Sequence, residues 1–229
     1  LEIEIKNKNL LAELDILLDE FYSRYGEEEK EILLESKSVT RGAIETSHRH
    51  NEWWCSEQRL RELLGNAHLH IGPPSDYRAV PVAMLQEHNP DKWKGFYEKW
   101  RFDFCQQILG AASCALFNFY PPKGITGWHT NWDANAYQIL LTWSKTGDGF
   151  FTYKEGDKVI VVPDKPGWAC RWYYFGRKDE PDHHCWHAAY AGCDRITLAF
   201  KITNEKYGSE RDLVARKLRD ELLEEIQCE

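Results

Sequence analysis

A chain of 229 residues with 42% hydrophobic content is long enough to bury a full core, and its formal net charge of -8 argues against strong sequence-independent nucleic-acid binding, which rests on Lys and Arg contacts to phosphate. Seven cysteines, an odd number without any Cys-x-x-Cys pair, indicate a reduced, cytoplasmic protein rather than a disulfide framework or a zinc ribbon. No apolar run approaches the length of a membrane span, so no membrane partner is expected.

From Asn9 to Tyr25 apolar residues recur at Leu10, Leu11, Leu14, Leu17, Leu18, Phe21 and Tyr25, the spacing of one helix face. Glu27 to Glu31 is a charge run expected on a solvated surface. A second helix is expected over Ser56 to Leu64, opened by a Ser cap and stopped by Gly65. Trp93 to Leu109 predicts a third, with Phe96, Trp100, Phe104 and Ile108 four apart and Gly110 at its end.

Beyond Gly110 the texture changes. Short apolar or aromatic runs alternate with Gly, Pro and Asp turn signals: Ala115–Tyr120, Tyr137–Trp143, Phe150–Tyr153, Val159–Val162, Trp168–Phe175, Trp186–Tyr190 and Arg195–Ile202. Strands this short and regularly spaced indicate a β-sandwich or barrel. A last helix over Glu210 to Ile226 carries Val214, Leu218, Leu222 and Ile226 on one stripe. The expected fold is mainly β with flanking α, in a single domain over 1–229. A double-stranded β-helix (jelly roll) core at 111–204 is buttressed by a helical N-terminal region, 1–110, and by one C-terminal helix, 205–229.

Within the β-rich stretch, His129 and Asn131 are two apart and share a face if the segment is extended; Asp133 shares it by the same alternation. His187 follows 187 − 129 = 58 positions later, enough chain for several short strands and a return to the same mouth. Imidazole suits Fe(II), and open iron sites that activate dioxygen use two His and one oxygen ligand on one face of the metal. Arg195, eight positions after His187, is a cation able to hold the far carboxylate of a dicarboxylic cosubstrate, a task suited to the guanidinium fork.

This layout resembles the 2-oxoglutarate/Fe(II)-dependent dioxygenases, in their prolyl-hydroxylase-like and AlkB-like branches. The likeness spans Ala115 to Thr203. It departs from the family's His-x-Asp/Glu…His pattern at Asn131, which stands in the carboxylate position. The resemblance implies Fe(II), 2-oxoglutarate as cosubstrate and dioxygen. It implies His129 and His187 as metal ligands, with the oxygen ligand from Asn131, Asp133 or water. It implies that Arg195 pairs with the C5 carboxylate, that Asn118 and Tyr120 hydrogen-bond the cosubstrate, and that Lys201, six after Arg195, brings a second positive charge. The implied reaction is hydroxylation of a protein side chain, a nucleobase or a small molecule, with release of succinate and CO2. Two other readings stand beside it: a non-catalytic jelly-roll binding module with a degenerate metal site, and a cupin-like metalloenzyme that does not use 2-oxoglutarate. Trp128, Trp132, Tyr137 and Trp186 are candidates for a substrate wall. His183 and His184 are the rival assignment for the distal ligand.

Overall fold

The computed structural model describes residues 2–34, 36, 40–45, 47–65, 72–104, 113–131, 137–176, 184–202 and 220–228. Eight strands form the barrel: β5 (Ser113–Tyr120), β6 (Gly124–His129), β7 (Tyr137–Ser144), β8 (Gly149–Glu155), β9 (Lys158–Pro163), β10 (Gly167–Tyr174), β11 (His187–Ala191) and β12 (Arg195–Ile202). Four two-residue strands precede them: β1 (Glu2–Ile3), β2 (Thr40–Arg41), β3 (Tyr77–Arg78) and β4 (Val80–Pro81). All pairings are antiparallel, in two sheets ordered β1-β10-β7-β12-β5-β4 and β2-β3-β6-β11-β8-β9. From β5 to β8 the chain crosses to the other sheet at every step, and after the β8–β9 hairpin it crosses again at every step to β12. That alternation is the double-stranded β-helix, and it brings strands far apart in sequence side by side.

The helices cover the outer face of the first sheet. Helix α1 (Lys8–Arg24) starts at Asn7, whose side chain accepts the Leu10 N–H, and buries Leu10, Leu14, Leu17 and Phe21. Helices α4 (Val82–His88) and α5 (Pro90–Glu98) follow one another, with Pro90 in the first turn of α5 and Asn89 capping Lys92. A π-type turn over Lys99–Asp103 continues α5 as far as Phe104, and Phe96, Trp100 and Phe104 are buried as their four-residue spacing predicts. These side chains, with Leu222 and Ile226 of the helical stretch 220–227, form one cluster with Phe117, Phe119, Ile139, Ile196 and Leu198 of the sheet. Of the two long helices expected at 93–109 and 210–226, the parts at 105–109 and 210–219 lie outside the described residues.

The outer face of the second sheet has its own cover. A 3-10 turn (Asn51–Cys55) leads through Ser56, whose hydroxyl accepts the Arg59 N–H, into helix α3 (Glu57–Leu64), ended by Gly65 as the sequence suggests. Trp54, Cys55 and Leu60 pack there on Ile125, Trp128, Trp186 and Tyr190. In the Glu27–Glu31 run, Glu27, Glu28 and Glu31 are exposed as expected, and only Glu29 departs from that surface. The run opens helix α2 (Glu27–Leu34), and Glu29 is buried because it pairs with Lys92 and accepts the Gly26 N–H. The six described cysteines are free thiols, and no described helix is long and apolar enough to cross a membrane.

Candidate functional site

The topology determines which side chains meet between the sheets. Strand β6 ends at His129 and β11 begins at His187, and the two residues are direct cross-strand partners. Their rings lie 4.0 Å apart between centroids. Each Nδ1 donates to a backbone carbonyl two residues earlier: His129 to Gly127 O and His187 to Cys185 O, both at 2.9 Å. A ring that donates through Nδ1 keeps a lone pair on Nε2, the arrangement found in metal-binding histidines whose other nitrogen is anchored. The Asn131 amide nitrogen lies 3.5 Å from His187 Nε2. Half a turn of that amide puts its oxygen at the same distance from His187 Nε2, so Asn131 can present an oxygen beside the paired rings. No group of three or more His, Cys, Asp or Glu able to hold a metal occurs among the described residues. Asp133 and His183 lie outside them.

Both rings are neutral. Burial pushes the His129 imidazole down to about 4, with the Arg41 charge acting in the same direction. His187 is held well below the ordinary range by burial and by His129 beside it. For the metal-free protein this has a definite sign. Between about pH 6.5 and 4 the unfolded chain binds protons at these histidines that the folded chain refuses, so stability is full above pH 6.5 and falls as the pH drops. For His129 alone the loss is about 3 kcal/mol. Urea midpoints measured from pH 7 to pH 4 should show this slope, and His129→Asn should flatten it.

Strand β11 ends at Ala191, and the next strand begins at Arg195, at the opposite end of the barrel from the histidines. Four residue rises along β11 amount to about 13 Å. Arg195 is 2% exposed and opposes Tyr120, while Thr197 opposes Asn118. Its Nε donates to Asp164 Oδ2 at 2.8 Å, its Nη1 donates to Thr197 Oγ1 at 2.7 Å, and its guanidinium carbon stands 5.3 Å from the Tyr120 ring centre. Asn118 donates to the Tyr77 hydroxyl at 2.7 Å, and the Tyr120 and Thr126 hydroxyls are 3.0 Å apart. The other oxygen of Asp164 accepts from Arg171 Nη1 at 2.9 Å. Two buried guanidiniums therefore share one buried carboxylate.

A cavity of about 610 Å³ joins the two ends, lined by His129, His187 and Asn131 at one and by Asn118, Tyr120 and Arg195 at the other. Arg41 and Arg101 also line it, and no carboxylate does among the described residues. The structure thus brings His129, His187, Asn131, Asn118, Tyr120 and Arg195 to one space. The Lys201 backbone pairs with Gln138 and Ser113, and its side chain lies outside the described residues. The proposed aromatic wall is not there. Trp128 and Trp186 face outward into the α3 cluster and Tyr137 joins the helix-side cluster, because alternation along each strand turns them away from the cavity; Trp132 lies outside the described residues. Thr126, Gln138, Tyr77 and Asp164 are additions that the sequence reading missed. Gln138 and Thr126 follow from inward alternation on their strands, whereas nothing local marks Tyr77 or Asp164.

No family model matches the chain, and no curated protein matches it in sequence. Among solved structures it is similar to a prolyl-4-hydroxylase from Pseudomonas putida, at 14% identity and a TM-score of 0.31 over 76% of this chain and 98% of that one. It is also similar to an oxalate oxidase, at 15% identity and a TM-score of 0.29 over 72% of this chain and 79% of that one. A predicted oxalate decarboxylase from Thermotoga maritima is 22% identical with a TM-score of 0.26; the match takes in 38% of this chain and spans 64% of the Thermotoga protein's length. The jelly-roll assignment rests on strand order and register, not on these likenesses.

Proposed function

We propose that the protein is an Fe(II)/2-oxoglutarate-dependent oxygenase that hydroxylates a protein side chain, a nucleobase or a small molecule. The observation that carries this reading is a single cavity with two anchored, neutral imidazoles at one end and a buried cation at the other. The donor set fits the metal. Both Nε2 lone pairs are available without deprotonation, and the Asn131 oxygen beside His187 would supply the third ligand. The far end fits a carboxylate, because the Arg171–Asp164–Arg195 group carries one more positive than negative charge in a dry setting. Glu2, partly exposed and 3.7 Å from Arg171, offsets this only in part.

When bound together, Fe(II) and 2-oxoglutarate supply dioxygen activation, with release of succinate and CO2 and delivery of an oxygen atom to a C–H bond of the substrate. The chain's own part is positioning. Gly127 and Cys185 carbonyls fix the imidazole planes, Arg195 receives the distal carboxylate, and Asn118 and Tyr120 present polar groups along its length. The surrounding apolar side chains, Leu140, Phe151, Phe175, Ala189 and Ala199, exclude water from the space between.

Aerobic incubation with Fe(II) and 2-oxoglutarate, followed by measurement of succinate with and without candidate substrates, tests the reading. Absence of both 2-oxoglutarate binding and succinate would favour the cupin-like alternative, which the existing Arg195–Asp164 pair already makes worth keeping. The third ligand has its own check. Asn131→Asp should raise Fe(II) or Mn(II) affinity, since a carboxylate adds the charge the site lacks, whereas Asn131→Ala should lower it. If both are silent and Asp133→Ala removes the metal, Asp133 is the ligand.

A further inference from the structure

We propose that Asp164 is a positioning residue for the cosubstrate, fixing the plane and depth of Arg195 and so setting the length of dicarboxylate that the cavity accepts. The inference rests on the oxygenase reading, and it concerns a residue outside the ligand set.

Asp164 follows β9, in the turn that leads to β10, and its side chain is almost wholly enclosed. Its seat is built from three directions. The Asp164 N–H donates to Gly149 O at 2.9 Å, which pins the turn against β8. A side chain at Gly149 would meet Asp164 Oδ2 at 2.9 Å, so glycine there leaves the carboxylate its place. Arg171 Nη1 holds Oδ1 at 2.9 Å, and Arg171 Nη2 donates to Pro163 O at 2.9 Å, clamping the residue beside it. The remaining oxygen, Oδ2, takes Arg195 through Nε at 2.8 Å.

Holding an arginine by Nε commits one edge of the fork to the protein. With Nη1 tied to Thr197, the guanidinium has two fixed points and cannot rotate or slide along the cavity. The two ends of the site then stand a fixed distance apart. The histidines are set by the β6–β11 pairing, and Arg195 is set by Asp164. A dicarboxylate that must reach both is measured against that gap.

A carboxylate beside Arg195 also opposes an incoming anion, and this gives the proposal a sign to test. If Asp164 merely neutralises Arg195, Asp164→Asn should bind 2-oxoglutarate more tightly. If it positions Arg195, the same variant should bind 2-oxoglutarate more weakly and discriminate less. The experiment is calorimetry on the Mn(II)-loaded wild-type and variant proteins with 2-oxoglutarate, the shorter oxaloacetate and the longer 2-oxoadipate, with thermal midpoints alongside. The expected result for Asp164→Asn is a dissociation constant for 2-oxoglutarate raised by roughly tenfold, as for other residues that orient a ligating group. The preference for 2-oxoglutarate over the two homologues should narrow, and Mn(II) affinity should stay unchanged. Arg171→Lys keeps the charge but loosens the clamp, so it should shift the same ratios in the same direction; it decides the matter if Asp164→Asn does not fold. Tighter binding, or an unchanged chain-length preference in whichever variant folds, overturns the proposal. If the wild-type protein itself binds no 2-oxoglutarate, the oxygenase reading fails instead.

Discussion

His187→Ala should bind Fe(II) or Mn(II) more than about tenfold more weakly than the wild-type chain, and His129→Ala should do the same. The set of candidate ligands is small, and even changes to groups that only orient metal ligands cost roughly 10–100-fold. The two rings are cross-strand partners with separately anchored Nδ1 atoms, so neither can swing to replace the other. His184→Ala is the control. That residue precedes β11, outside the paired strand, and its loss should leave metal affinity unchanged. Electron paramagnetic resonance of titrated Mn(II) reads free metal directly. If His184→Ala or His183→Ala abolishes binding and His187→Ala does not, the register of the distal ligand is wrong.

The second large effect belongs to Arg195. Arg195→Ala should raise the 2-oxoglutarate dissociation constant by about two to three orders of magnitude, since truncating one partner of a buried charge pair costs about 2–5 kcal/mol. Arg195→Lys should recover part of this, because it restores the charge without the fork. Either substitution also takes a partner from Asp164, which keeps Arg171, so thermal midpoints measured alongside separate lost binding from lost stability. Metal affinity should be unaffected, the cation lying at the other end of β11 from the histidines. Unchanged 2-oxoglutarate binding in Arg195→Ala would remove the dicarboxylate clamp from the account.

The barrel was legible where strands alternate or run apolar between turn signals. The reading of Tyr137–Trp143 falls within β7, and Arg195–Ile202 coincides with β12. Strand β6, which carries His129, was not marked. Its sequence, Gly124 to His129, opens on glycine and holds a second at Gly127, where a side chain would meet Asp76 O at 2.7 Å. A backbone approach from β3's neighbourhood demands glycine there, and glycine erases the pattern by which a strand is read. The two-residue strands β1 to β4 are too short for any period. Within the site, His129, His187, Asn118, Tyr120 and Arg195 could be named together because the resemblance to the dioxygenases implies their roles. Asp164 could not, since its partners Arg171 and Arg195 lie 7 and 31 residues away and only the folded barrel joins them.

The pairing of His129 with His187 has a consequence for how the protein comes apart. These residues sit on β6 and β11, inner strands of the second sheet, and 187 − 129 = 58 positions separate them in the chain. An ion held by both rings would close that stretch into a loop, acting as a reversible cross-link between the two strands. Closing a loop of that length removes roughly 4 kcal/mol of freedom from the unfolded chain by the polymer estimate used for covalent bridges. Amide protons along β6 and β11 should therefore exchange more slowly once metal is added, and more so than those of α2, which pairs with neither strand.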